Sequence, residues 1–144
     1  MRTVFIVNPK AGQGKGNKKF TERIRHVAEK AGTAVEIYTT AGIGDAEILA
    51  RQIAEESNAE PTRIYACGGD GTLNEVLNGV IGNEKISVGV VPIGTGNDFC
   101  RNFPEAGDFL DIASQLNSHP VKSDAIKYSG ILAGVQQTRY CANM

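Results

Sequence analysis

Apolar positions along the chain switch repeatedly between two spacings. Residues 3–7 (TVFIV) form an unbroken apolar run, the pattern of a strand buried on both faces. Over residues 17–31 the apolar positions become Phe20, Ile24, Val27, Ala28 and Ala31. These make one stripe of an amphipathic helix, and Gly32 follows as its stop. Residues 34–40 predict a second strand. Asp45 is placed to cap the next helix, in which Ala46, Leu49, Ala50, Ile53 and Ala54 share a face. A third strand over 63–67 runs into a glycine turn and a helix ending near Val80. A fourth follows at 87–91, and 106–117 read as another helix.

Strands that alternate with amphipathic helices specify a parallel sheet with right-handed crossovers, flanked by helices on both faces. This α/β class binds ligands beyond the carboxyl ends of its strands. The polar, glycine-bearing loops after strands one, three and four all fall at that edge. Past residue 120 the pattern changes. Residues 121–128 and 136–144 predict two strands joined by a glycine-bearing connection, with no helix between them. The sequence stops inside the second of these, so more structure is expected beyond Met144.

Composition narrows the picture. The 144 residues carry a net charge of −1 and are 41% hydrophobic, enough for one domain with a real core. No basic block or aromatic-interleaved basic stripe is present, which argues against a nucleic-acid partner. Cys67, Cys100 and Cys141 lack metal-like spacing, so neither a zinc site nor a disulfide framework is expected. The N-terminal apolar run is too short for a signal peptide, and no stretch is long enough to span a bilayer. A soluble, cytoplasmic protein is the expectation.

The chemistry concentrates in Gly68-Gly69-Asp70-Gly71-Thr72, at the junction of strand three and its helix. Glycines there let backbone press against a ligand, and the helix N-terminus offers N–H groups and a positive dipole end to a phosphate. A carboxylate in that turn would repel a bare phosphate but suits one carrying Mg²⁺. The competing reading is a tight turn in which Asp-Gly supplies only turn chemistry. The first loop, Asn8-Pro-Lys-Ala-Gly-Gln-Gly-Lys-Gly16, fits neither G-x-x-x-x-G-K-[ST] nor G-x-G-x-x-G. It can fold over phosphates with Lys10 or Lys15 as counter-charge, or stand as a surface loop.

Three segments together resemble the diacylglycerol kinase catalytic-domain family, which includes bacterial lipid kinases, sphingosine kinases and ceramide kinases. They are Asn8-Pro9 with Ala11-Gly12, GGDGTLNEV from Gly68 with Asn78-Gly79, and Pro92-Ile-Gly-Thr-Gly-Asn-Asp-Phe99. The resemblance runs from Thr3 to about Asp124. A bare GGDGT also occurs in NAD kinases; Asn74-Glu75 and the PIGTGNDF block favour the lipid kinases. The resemblance implies an ATP site lined by Asn8, Gly68, Gly69, Asp70, Gly71, Thr72, Leu73 and Asn74. It further implies nucleotide contacts from Thr40, or from Thr39 given variable spacing, and from Thr95. Asp98 and Asp124 match acidic positions of a Mg²⁺-and-water network, with a helix cap as the plain alternative for Asn97-Asp98. Asp70, as the catalytic candidate, would position either the metal or the acceptor hydroxyl.

By the same resemblance, residues 1–120 form the nucleotide-binding domain. Residues 121–144 then begin a β-rich, lipid-binding domain whose catalytic glutamate and metal site lie beyond Met144. Glu75, expected in the first helical turn, is not that glutamate and would stabilise the dipole or anchor a loop. His26 and His119 are solvated bystanders. The implied activity is ATP- and Mg²⁺-dependent transfer of a γ-phosphoryl to a hydroxyl of diacylglycerol or a related lipid. It would occur at a membrane surface in peripheral contact, though no basic amphipathic anchor is evident. A homodimer is left open. An NAD kinase and a non-catalytic nucleotide-binding module are the alternatives, and this stretch alone is expected to be inactive.

Overall fold

In the computed structural model, which describes residues 1–57, 60–104 and 107–142, four strands form one parallel sheet. They are β1 (Arg2–Val7), β2 (Glu36–Thr39), β3 (Thr62–Gly68) and β4 (Ile86–Pro92), in the order β2-β1-β3-β4. Alternation along the strands assigns the two faces. Val4, Ile6, Ile64, Ala66 and Val90 point one way, into a core shared with α3 (Asp45–Glu56) and α4 (Asp70–Val80). Phe5, Val7, Tyr65, Cys67 and Val91 point the other way. They meet Ala11 of the single turn α1 (Ala11–Gly14), Phe20 and Ile24 of α2 (Lys18–Lys30), and Ile112 of α6 (Ile112–Leu116). Ile64 is fully buried at the centre, so truncating it to Ala would cost roughly 2–5 kcal/mol.

Two glycines permit close packing, one within the sheet and one between two helices. Tyr65 stacks on Phe5 with centroids 4.7 Å apart, and its hydroxyl donates to the Gln115 carbonyl at 2.7 Å. A Cβ on Gly89 of β4 would lie 2.5 Å from that ring. On the other face, a Cβ on Gly79 of α4 would reach the Glu47 carbonyl at 2.6 Å. That bare position lets α3 and α4 cross in close contact.

Several boundaries differ from those the pattern predicts. Strand two is shorter, because its outer edge is solvent-facing and only 36–39 pair with β1. Asp45 does not cap α3. Gly44, at φ 87°, holds the cap position, while the Asp45 carboxylate accepts from the Ala41 N–H at 2.7 Å. The helix expected over 106–117 starts only at Ile112, since Asp111 caps it by accepting from Ser114 N–H; Ala106 lies outside the described residues. Residues 121–125 form no strand. The ribbon instead comprises β5 (Ile126–Leu132) and β6 (Val135–Cys141). It turns through Ala133-Gly134, both at positive φ, the backbone of a two-residue hairpin that follows strand twist. Asn143 and Met144 lie outside the described residues.

The start of β1 is tied to the edge strand β2 by charge. Arg2 makes a two-pronged contact to Glu36, Nε to Oε1 at 2.7 Å and Nη2 to Oε2 at 2.8 Å, and the Tyr38 hydroxyl donates to the same carboxylate. Arg2 above all holds the Glu36 carboxyl below its ordinary range. A lowered carboxyl stabilises the fold above its unfolded pKa, and that contribution fades as pH falls through the folded value. Glu36→Gln should therefore lower the urea midpoint at about pH 7 and match wild type more closely at about pH 3, below the ordinary glutamate value. Urea titrations at the two pH values check this.

Candidate nucleotide site

The carboxyl edge of the sheet gathers the loops after β1, β3 and β4. Backbone contacts begin to bring them together. Asn8 N–H donates to the Cys67 carbonyl at 2.9 Å and Gly94 N–H to the Gly68 carbonyl at 3.2 Å. Gly12, at φ 57°, lies so close to Ile93 that a Cβ would overlap the Ile93 carbonyl. A Cβ on Gly94 would collide with the backbone of Gly69. At Gly12 and Gly94 bare backbone thus touches where a side chain would hold the loops apart.

Asp70 fastens this arrangement. As first residue of α4 it reaches across to α5 (Asp98–Arg101). Its Oδ2 accepts from Asp98 N–H at 2.8 Å and its Oδ1 from Phe99 N–H at 3.2 Å. One carboxylate so satisfies two of the free N–H groups that open a helix. The cap position of α5 belongs to Asn97, left-handed at φ 55° and without a side-chain cap bond of its own. Its Nδ2 donates to the Gly94 carbonyl at 2.5 Å, while its buried Oδ1 has no partner among the described residues. Burial and the Asp70 charge push the nearby Cys100 thiol up to about 11, so it stays protonated at neutral pH.

The opening turn of α4 is available to an anion. Gly69 at its cap position has no side-chain cap bond, leaving the helix N–H groups and positive dipole end directed outward. A Cβ on Gly68 would press on the Thr72 side chain, and both Thr72 and Leu73 are buried. Gly69 and Asp70 are half-buried and Gly71 is exposed. Of the other expected contacts, Thr40 is buried, with its N–H on the Val7 carbonyl at 2.9 Å, and Thr39 is exposed. Asn8 turns its carboxamide back on the Lys10 N–H at 3.0 Å. Thr95, Lys10 and Lys15 are exposed. Asn74 is spent differently: its Oδ1 accepts from Ala142 N–H at 3.1 Å on the ribbon.

The acidic positions are open to solvent. Asp98 pairs with Arg101 at 2.9 Å, and Asp124 is exposed. Among the described residues no group of three or more His, Cys, Asp or Glu is gathered for a metal. The donor set fits Mg²⁺ held by one or two carboxylates, waters and phosphates, rather than an all-protein cage. Glu75 lies in the second turn of α4, not the first, because the helix starts at Asp70. It anchors a loop, accepting from Gly44 N–H at 2.9 Å. His26 and His119 are exposed. The Asp70 bridge, the Gly12 and Gly94 contacts and the asparagine bonds to the ribbon escape sequence reasoning. Their only trace is glycine and asparagine at positions that no local turn demands.

A parallel α/β sheet with a glycine turn opening a helix at its carboxyl edge defines a phosphate-binding type of architecture. The family model described as diacylglycerol kinase catalytic domain matches residues 2–128, and the chain belongs to that family. A diacylglycerol kinase of Staphylococcus carnosus is 33% identical over 99% of this chain and 44% of its own length. The putative lipid kinase YtlR of Bacillus subtilis is 37% identical over 69% of this chain and 32% of its own. The crystal structure of a putative diacylglycerol kinase from Bacillus anthracis superposes with a TM-score of 0.66 at 28% identity. It covers 94% of this chain and 47% of that one. The chain spans less than half the length of these relatives.

The close contacts make a stability prediction. Gly94→Ala drives a methyl group into the Gly69 backbone and should cost roughly 1–3 kcal/mol, the range for overpacking. Asp70→Ala uncaps α5 and should cost on the order of 1 kcal/mol. Urea denaturation of both variants checks the order.

Proposed function

We propose that this chain is the nucleotide-binding part of an ATP-dependent lipid kinase, which transfers a γ-phosphoryl to a hydroxyl of diacylglycerol or a related lipid. The observation that carries the reading is the Asp70 bridge to Asp98 and Phe99 N–H. It holds the glycine turn and the loop after β4 in one rigid cradle around an uncapped helix N-terminus. Family membership and relatives named as diacylglycerol or lipid kinases support the acceptor class.

Phosphoryl transfer asks a protein mainly for positioning and charge neutralisation. In this reading the N–H groups of Gly69 to Thr72 receive the phosphate oxygens, and the α4 dipole favours their charge. Thr40 and Thr95, from neighbouring loops, contact the nucleotide, with Asn8 in the first loop; Asn74, expected in the same site, supports the turn from behind with its Oδ1 on the Ala142 N–H. Lys10 and Lys15 offer counter-charge. Mg²⁺, when bound with the phosphates, neutralises charge on the transferring group; Asp98 and Asp124 would hold it through water. Asp70 serves by positioning, with remaining lone pairs toward metal or acceptor. Among the described residues no helix is long and apolar enough to cross a membrane; in this reading the lipid is met by peripheral contact.

Gly69 separates binding from folding. Its φ of −93° and ψ of −166° suit any residue, and a Cβ there meets only Gly94 Cα at 3.6 Å. Gly69→Val should fold yet lose Mg-ATP affinity at least tenfold by calorimetric titration; a folded variant with unchanged affinity removes this turn from the site. With labelled ATP, the complete natural protein should place label in a lipid extracted from mixed micelles. Label in NADP instead would assign an NAD kinase.

A further inference from the structure

Helix α4 carries Asn74 and Asn78, four residues apart and therefore stacked on one face. That face meets strand β6. Lys127 stands opposite Tyr140 in the ribbon, but the Tyr140 peptide groups turn toward α4. There the Asn78 carboxamide takes the place of a neighbouring strand. Tyr140 N–H donates to Asn78 Oδ1 at 2.9 Å, and Asn78 Nδ2 donates to the Tyr140 carbonyl at 2.7 Å. The same nitrogen donates to the Asn74 carbonyl at 2.7 Å, which fixes its orientation on the helix. One residue past the end of β6, Ala142 N–H donates to Asn74 Oδ1. Arg139 adds an ion pair to Glu47 of α3 at 2.8 Å.

The rest of the ribbon stands away from the sheet. Ile126, Tyr128, Ile131 and Val135 are all exposed, and a two-stranded ribbon is marginal by itself in water. Its placement therefore depends on the α4 contact. Asn78 lies eight residues from Asp70, about 12 Å along one unbroken helix. The helix that opens the phosphate cradle at one end thus grips the ribbon further along.

We propose that Asn78, assisted by Asn74, is a positioning residue for phosphoryl transfer. It sets β6, and what packs on the ribbon, in fixed register with the phosphate cradle. This rests on the lipid-kinase reading, in which the acceptor hydroxyl must stand in line with the γ-phosphoryl. A misplacement of about 1 Å can cost a hundredfold in rate. Asn78 touches neither phosphate nor metal, so its effect should fall on turnover and leave nucleotide affinity alone.

The test compares wild type with Asn78→Leu in the complete natural protein. Leucine keeps the branched shape and removes both bonds to Tyr140. Amide exchange at Tyr140 and Ala142 should accelerate at least tenfold. Affinity for Mg-ATP should stay within twofold, and kcat for lipid should fall at least tenfold. Asn78→Asp keeps the acceptor for Tyr140 N–H but turns a carboxylate oxygen toward the Tyr140 and Asn74 carbonyls, so it too should lower kcat with Mg-ATP affinity kept; it serves if the leucine variant does not fold. Accelerated exchange with unchanged kcat overturns the inference, as does unchanged exchange. A parallel loss of ATP affinity overturns it too, by assigning Asn78 to the nucleotide site. Wild type that phosphorylates no lipid sinks the kinase reading, whereas a working wild type matched by Asn78→Leu sinks only this inference.

Discussion

The carboxylate of Asp70 is the constraint on which the carboxyl edge depends. Its two oxygens accept from two successive peptide N–H groups, Asp98 and Phe99, across the gap between α4 and α5. Asparagine, of the same length, would turn its NH2 toward one of the two N–H groups. With both bonds in place, the loop after β4 lies against the glycine turn at backbone distance. Gly94 meets Gly69 there because Gly94 has no Cβ. Remove the charge, and the loop loses the partner that orients it.

The glycines of this edge are bare for different reasons. Gly69 adopts an extended backbone open to any residue, so conformation does not explain its presence. The space beside it does: bare backbone leaves the N–H groups of α4 reachable. Gly94 is bare because it touches Gly69, and Gly12 because it touches Ile93. Gly12 alone among these three also needs a left-handed φ. The loops form a rigid surface by contact between main chains, whose positions the sheet itself fixes.

Helix α4 then joins three tasks. Its first turn faces the candidate phosphate position and its second holds Gly44 through Glu75. Its Asn74 and Asn78 grip β6. Gly79 meanwhile allows α3 to lie close enough for Glu47 to reach Arg139 of the ribbon at 2.8 Å. Side chains that look like parts of one motif in sequence thus act in separate directions, because a helix turns by about 100° per residue.

Sequence by itself determined the layered α/β class, the order of the main elements and the edge at which the glycine loops gather. The reason is local: apolar spacing records which face of each strand or helix is buried, and that spacing needs no knowledge of partners. The run from Thr3 to Val7 and the stripe from Phe20 to Ala31 could each be read alone. Membership of the family was legible for a similar reason, since GGDGT, Asn74-Glu75 and PIGTGNDF are contiguous. Tertiary structure alone decided that Asp70 spans to α5, that Asn78 meets Tyr140, and that Asp45 turns back to Ala41. It also placed Asp98 beside Arg101 and left the ribbon to start at Ile126. Each of these depends on where a distant or left-handed stretch of backbone arrives, and hydrophobic spacing carries no record of which peptide N–H a polar side chain will reach.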